Sequence, residues 1–193
     1  MLILQNCRML CTPKTGSSWS SAAVLRASEH AKPFGVARGR YYHAPLRGVF
    51  SQLSHMPAMA FVRHPLTWYK SIWSFRAMHQ VRNMKFPVDR HWVPDYEEFV
   101  ISMLDAYPGG FVTQLFQYYV GKNGDGLDFV GRQENLTNDL VTALTLAGET
   151  FDEDLLRGTK RYNVSRKYDV VLSKDTQNRV LEVEKWVVDN FYG

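Results

Sequence analysis

The sequence predicts an α/β fold with a parallel central sheet, and three observations lead there. Short apolar runs at Cys7–Thr12, Ala58–Val62 and Leu127–Val130 have strand length and composition. Segments with helical spacing or helix-forming residues separate them. Strands alternating with helices are the pattern of a parallel sheet with helices packed on it. A chain of 193 residues can bury ~70% of its unfolded surface without metal or disulfide staples. One domain, 1–193, is therefore expected, and no internal repeat or linker divides it.

The elements follow in order. Cys7–Thr12 is the first strand, and Pro13–Ser18 is a turn rich in small hydroxyl residues. A helix from Trp19 to Ser28 starts at a serine cap. Residues 30–40 read as loop, Arg40–His43 as a short strand and Leu46–Leu53 as a helix. After the strand Ala58–Val62, Leu66, Tyr69, Ile72 and Trp73 share one helical face, which predicts a helix over 66–78. Residues 80–94 look irregular. Asp95 caps a helix to Tyr107, and Pro108-Gly-Gly110 ends it. A helix over 110–120 and a Gly-rich turn lead to the strand Leu127–Val130. Leu136–Ala147 is a helix closed by Gly148, and Ser173 caps a last helix to about Asp189.

Charge is unevenly distributed. Residues 1–90 hold 13 Lys/Arg and two acids, whereas residues 91–193 hold 10 Lys/Arg and 17 Asp/Glu. A basic half suits an anionic ligand, unless folding mixes the halves and averages the field. No apolar run approaches the ~20 residues of a membrane span. Met1–Asn6 is too short for a signal peptide. Cys7 and Cys11 on one strand lie ~13 Å apart, too far to bridge. A reducing, cytoplasmic compartment is the simplest expectation.

Two segments at strand-to-helix junctions carry chemistry. In Thr12-Pro-Lys-Thr-Gly-Ser-Ser-Trp19, backbone amides and the positive helix end converge as an anion site. Lys14 adds a mobile charge, Thr15, Ser17 and Ser18 add hydroxyls, and Gly16 lets the backbone approach an oxyanion. A Walker A loop is absent, because Lys14 precedes the single glycine. The bland alternative is a capped helix after a turn. In Ala60-Phe-Val-Arg-His-Pro65 and on to Ser71, Arg63 ends a strand at the edge where open α/β sheets bind ligands. Its forked guanidinium and the Ser71 hydroxyl suit a phosphate.

Together these segments resemble the PAPS-dependent sulfotransferases. Pro13-Lys-Thr-Gly-Ser-Ser-Trp19 matches that family's loop for the 5′-phosphosulfate. Arg63 and Ser71, eight residues apart, look like its 3′-phosphate pair. Val130–Leu136 and, more loosely, Asn163–Ser165 with Arg166 and Lys167 are similar to later family segments. The resemblance implies a three-layer, P-loop NTPase-like sandwich around a parallel sheet of four to five strands. PAPS would be the donor and PAP the product, bound by Pro13, Lys14, Thr15, Gly16, Ser17, Ser18, Trp19, Arg63, Ser71, Arg166 and Lys167. Trp19 would stack on adenine or pack in the core.

Sulfuryl transfer needs a cation at the leaving phosphate, which suits Lys14, and a base titrating near neutrality. His43, in a segment similar to the family's His-Leu-Pro, is the expected base, and Glu29 is its rival. The family's lysine two before that histidine is Tyr41 here, with Arg40 beside it, and His64 replaces the usual Asn after the arginine. No metal is expected. The acceptor is a hydroxyl or amine on a small molecule or glycan, with neither nucleic acid nor membrane as partner. The alternatives are a small-molecule kinase using ATP-Mg and a non-catalytic polyanion-binding module.

Overall fold

The computed structural model describes residues 1–34, 43, 53, 55–79, 87–161 and 168–193. It divides into two compact units, Met1–Arg63 with Phe116–Tyr162 and His64–Leu115 with Asn163–Gly193.

The first unit holds a five-stranded sheet: β1 (Leu2–Ile3), β2 (Arg8–Met9), β3 (Lys32–Pro33), β4 (Ala58–Val62) and β5 (Phe129–Arg132), in the order β3-β1-β2-β4-β5. The sheet is mixed, which corrects the expectation of a parallel one. β2, β4 and β5 are parallel, but β1 is antiparallel to both β2 and β3. The reason is the short connection: four residues between β1 and β2 allow a hairpin, whereas a parallel crossover needs a dozen or more. Glu149 clamps that hairpin turn, its carboxylate accepting from the amides of Gln5, Asn6 and Cys7 at 3.2, 2.6 and 2.9 Å. Pro33 is tolerated in β3 because that strand lies at the sheet edge.

Helices α1 (Ser17–Ala27) and α6 (Leu136–Leu146) cover one sheet face. Trp19, Ala23, Val24 and Ala27 of α1 pack with Leu136, Leu140, Ala143 and Leu144 of α6 against Met9, Met59 and Phe61. Residues 149–161, read from sequence without an element, contain α7 (Glu153–Arg157), which starts on an Asp152 cap. The expected serine cap of α1 is instead Gly16, which has no side chain to place over the helix end.

The second unit contains α2 (Pro65–His79), α3 (Pro87–His91), α4 (Tyr96–Ala106), α8 (Lys174–Val183) and α9 (Lys185–Phe191), and α5 (Phe111–Val120) gives its first half to this unit. Tyr69, Ile72 and Trp73 are buried as the helical spacing predicts, whereas Leu66 is only half-buried. Asp95 caps α4 by accepting from the Glu98 amide. The single last helix expected after Ser173 is two, broken at Glu184. There the buried carboxylate turns to accept from the Val112 and Thr113 amides at 3.0 and 2.7 Å and from the Tyr69 hydroxyl. The expected strand at 40–43 and helix at 46–53 lie, save for His43 and Leu53, outside the described residues. None of the described helices is long and apolar enough to cross a membrane.

Candidate functional site

The loop after β2 is built around two left-handed residues. Lys14 has φ 65°, which is uncommon without glycine, and Gly16 has φ 84°. Thr15 Oγ1 donates back to the Thr12 carbonyl at 2.9 Å and closes the turn. The amides of Trp19 and Ser20 then bond the Gly16 carbonyl and start α1. No acid occupies the first turn of α1. Thr12 Oγ1 is fully buried at the head of the loop and makes no hydrogen bond among the described residues.

Parallel pairing of β2 with β4, Met9 against Met59, runs both segments toward the same sheet edge. Hence Arg63, one residue past β4, reaches the loop, and its Nη1 donates to the Lys14 carbonyl at 3.1 Å. The two segments singled out in the sequence therefore touch. The left-handed turn at Lys14 accompanies this contact, and a charged donor at a carbonyl is worth about 1.5–3 kcal/mol.

His43 comes to the same sheet edge. Its Nδ1 lies 2.6 Å from the Cys11 carbonyl, three residues before Lys14. A carbonyl only accepts, so Nδ1 carries the proton and Nε2 is the basic nitrogen. Although part of His43 faces solvent, desolvation of the ring lowers its pKa from the ordinary value, and the Cys11 hydrogen bond opposes that shift. The rival Glu29 is exposed and lies beyond the far end of α1. At 1.5 Å per residue an 11-residue helix places it roughly 16 Å from the loop, too far to act there.

Pro13 and Lys14 are half-buried, Thr15 and Ser17 buried and Ser18 exposed. Trp19 is buried in the core cluster, with Nε1 donating to the Thr159 carbonyl at 2.9 Å. The Arg161 guanidinium stands 5.3 Å from the Trp19 ring centroid. Ser71 is buried in α2 of the second unit. Arg40, Tyr41, Arg166 and Lys167 lie outside the described residues. His91 bonds Ser102, and Trp92 bonds the Trp73 carbonyl. Both thus have packing partners within the second unit. Among the described residues, no group of three His, Cys, Asp or Glu side chains is placed to hold a metal ion.

Sequence reasoning missed Tyr119 and Arg161. Tyr119, 3% exposed, donates its hydroxyl to the His43 carbonyl at 2.7 Å. Nothing in Phe116-Gln-Tyr-Tyr119 distinguishes it from a core aromatic. Arg161 had a weak signal, as a basic residue just before the segment expected to bind nucleotide. Scans against family models, curated proteins and solved structures each return no match to this chain.

Proposed function

We propose that this chain is a PAPS-dependent sulfotransferase, acting on a hydroxyl or amine of a small molecule or glycan. The observation that carries the reading is the Arg63 contact with the Lys14 carbonyl. It joins the two phosphate-type segments at one sheet edge, as a donor with phosphates at both its 5′ and 3′ positions requires. The buried, unpartnered Thr12 hydroxyl and the placement of His43 at the same edge support it further.

In this reading, loop amides and the hydroxyls of Ser17 and Ser18 hold the phosphosulfate between Pro13 and Trp19. Lys14 offsets the charge that develops on the leaving phosphate oxygen. His43 Nε2 takes the acceptor proton as the new bond to sulfur forms and the sulfur–phosphate-oxygen bond breaks, leaving PAP with the electron pair. Arg63 binds the 3′-phosphate. The reading carries with it a three-layer, P-loop-like sandwich and, because both cysteines are buried thiols, a reducing compartment such as the cytoplasm.

Thermal unfolding with PAP, AMP and ATP-Mg tests it. At 100 times Kd a ligand adds about 2.7 kcal/mol. That corresponds to roughly 5–11 °C at this chain length. The expected result is a shift with PAP, without metal, that shrinks with AMP and disappears in Lys14→Ala and Arg63→Ala. A shift with ATP-Mg alone indicates a kinase. No shift with any nucleotide at millimolar concentration overturns the nucleotide reading.

A further inference from the structure

We infer that Tyr119 is a positioning residue for the His43 base, its phenol anchoring the His43 backbone while the Cys11 carbonyl fixes the imidazole. The inference rests on the sulfotransferase reading for what the base does, but its geometry stands without it. His43, Cys11 and Tyr119 all belong to the first unit.

Two contacts hold His43 from opposite ends. The ring is held through Nδ1 by Cys11, at the head of the phosphosulfate-type loop. The carbonyl is held by Tyr119, 76 residues away in sequence, on the later half of α5. One contact alone leaves a rotation: a pinned backbone with a free ring, or a ring tethered to a moving backbone. Together they fix both, and with Nδ1 committed as donor the lone pair resides on Nε2. A base must lie within hydrogen-bond reach of the proton it takes, so holding its backbone and ring matters as much as its basicity.

Tyr119 is suited to this task. Burial, and then Tyr118 and Cys11, push its phenol well above the ordinary range, so it stays a donor throughout neutral pH. Among the described residues, Tyr119, Cys11 and the Met1 amino group are set against His43, and the amino group lowers the imidazole further. Tyr118 next to it is 58% exposed and serves as a control.

The test is long-range proton–nitrogen NMR of the histidines in the full chain, for wild type, Tyr119→Phe and Tyr118→Phe, each also titrated with PAP. Wild-type His43 is expected in the Nδ1–H form by at least about tenfold, the ratio for one hydrogen bond of 1.4 kcal/mol. In Tyr119→Phe that preference falls toward the mixture of a free imidazole, and the midpoint moves up toward the ordinary histidine value. PAP affinity stays within twofold, because the phenol donates to the His43 carbonyl and not to a phosphate-binding group among the described residues. Tyr118→Phe changes none of these.

An unchanged tautomer and midpoint in Tyr119→Phe overturns the inference. So does a wild-type ring protonated at Nε2, which needs no variant and decides the matter even if Tyr119→Phe fails to fold. Absence of PAP binding to wild type overturns the sulfotransferase reading instead. A tautomer change in Tyr119→Phe would in that case still support Tyr119 as the residue that positions the ring.

Discussion

Replacing Gly16 with alanine isolates the geometry on which the candidate loop depends. Gly16 sits at φ 84°, in the left-handed region that costs an L-residue about 1–2 kcal/mol. A Cβ placed there lies 2.5 Å from Leu136 Cδ2. Leu136 is 3% exposed within the core cluster, so it cannot swing aside into water. Overpacking of that kind costs about 1–3 kcal/mol. Gly16→Ala should therefore lose about 2–5 kcal/mol by urea unfolding, the sum of these two costs.

The two causes separate in a double-mutant cycle with Leu136→Ala. Alone, that change costs about 2–5 kcal/mol through lost burial and a cavity. Combined with Gly16→Ala, the new methyl occupies part of the vacated space. The double variant should then be more stable than the sum of the singles by about 1–3 kcal/mol, and the left-handed cost should persist. Gly16→Ala within about 0.5 kcal/mol of wild type, the range of neutral surface changes, would refute the account. An additive cycle would show that Leu136 does not limit the loop.

Other perturbations act on the carboxylates that hold backbone. Glu149→Ala strips acceptors from three amides, that of Cys7 being buried. It should cost about 2–4 kcal/mol in chemical denaturation, and a loss below ~1 kcal/mol would mean that water replaces the carboxylate. Glu184→Ala leaves the Tyr69 hydroxyl and two α5 amides unsatisfied in the second unit. It should cost about 3–5 kcal/mol, with Glu184→Gln milder because its amide oxygen still accepts. Burial, then Glu149, pushes the Cys7 thiol far above its ordinary value. The folded state thus keeps a proton that the unfolded thiol loses above about pH 8.5, and stability should fall as pH rises beyond that point. Mass spectrometry after iodoacetamide treatment at pH 8 should find Cys7 unmodified in native protein. Rapid native labelling would contradict its burial.

Much of the chain was legible because local signals and tertiary needs agreed. Asp95 and Ser173 lie where a cap must, and both cap. The i, i+3, i+6, i+7 spacing from Leu66 fixed the buried side of α2, apart from its first residue. Local reading failed where the deciding partner was distant. β1 and β3 are two residues each, too short for periodicity, and exist because they pair with each other and β1 also pairs with β2. The break at Glu184 lies inside a good helical sequence. It arises because a buried carboxylate there holds the α5 N-terminus, a contact 72 residues away. In the site, the Lys14 loop and Arg63 were visible as motifs, whereas Tyr119 needed the fold to bring α5 to His43.

The charge gradient shows what folding keeps of a sequence signal. Divided by compact unit instead of by sequence half, the first unit carries 13 Lys/Arg against nine Asp/Glu and the second ten against ten. Folding therefore averages much of the gradient, yet the excess positive charge remains in the unit that holds Lys14, Arg63 and His43. Four of the acids that joined that unit are engaged elsewhere. Glu149 holds the β1–β2 turn, Asp128 accepts from the Ala58 amide, Asp139 from Arg132 and Asn135, and Asp152 caps α7. These carboxylates are fixed at those places, and none of the four sits in the Thr12–Trp19 loop. The excess of cations is what an anionic ligand at that loop requires, and salt should weaken its binding accordingly.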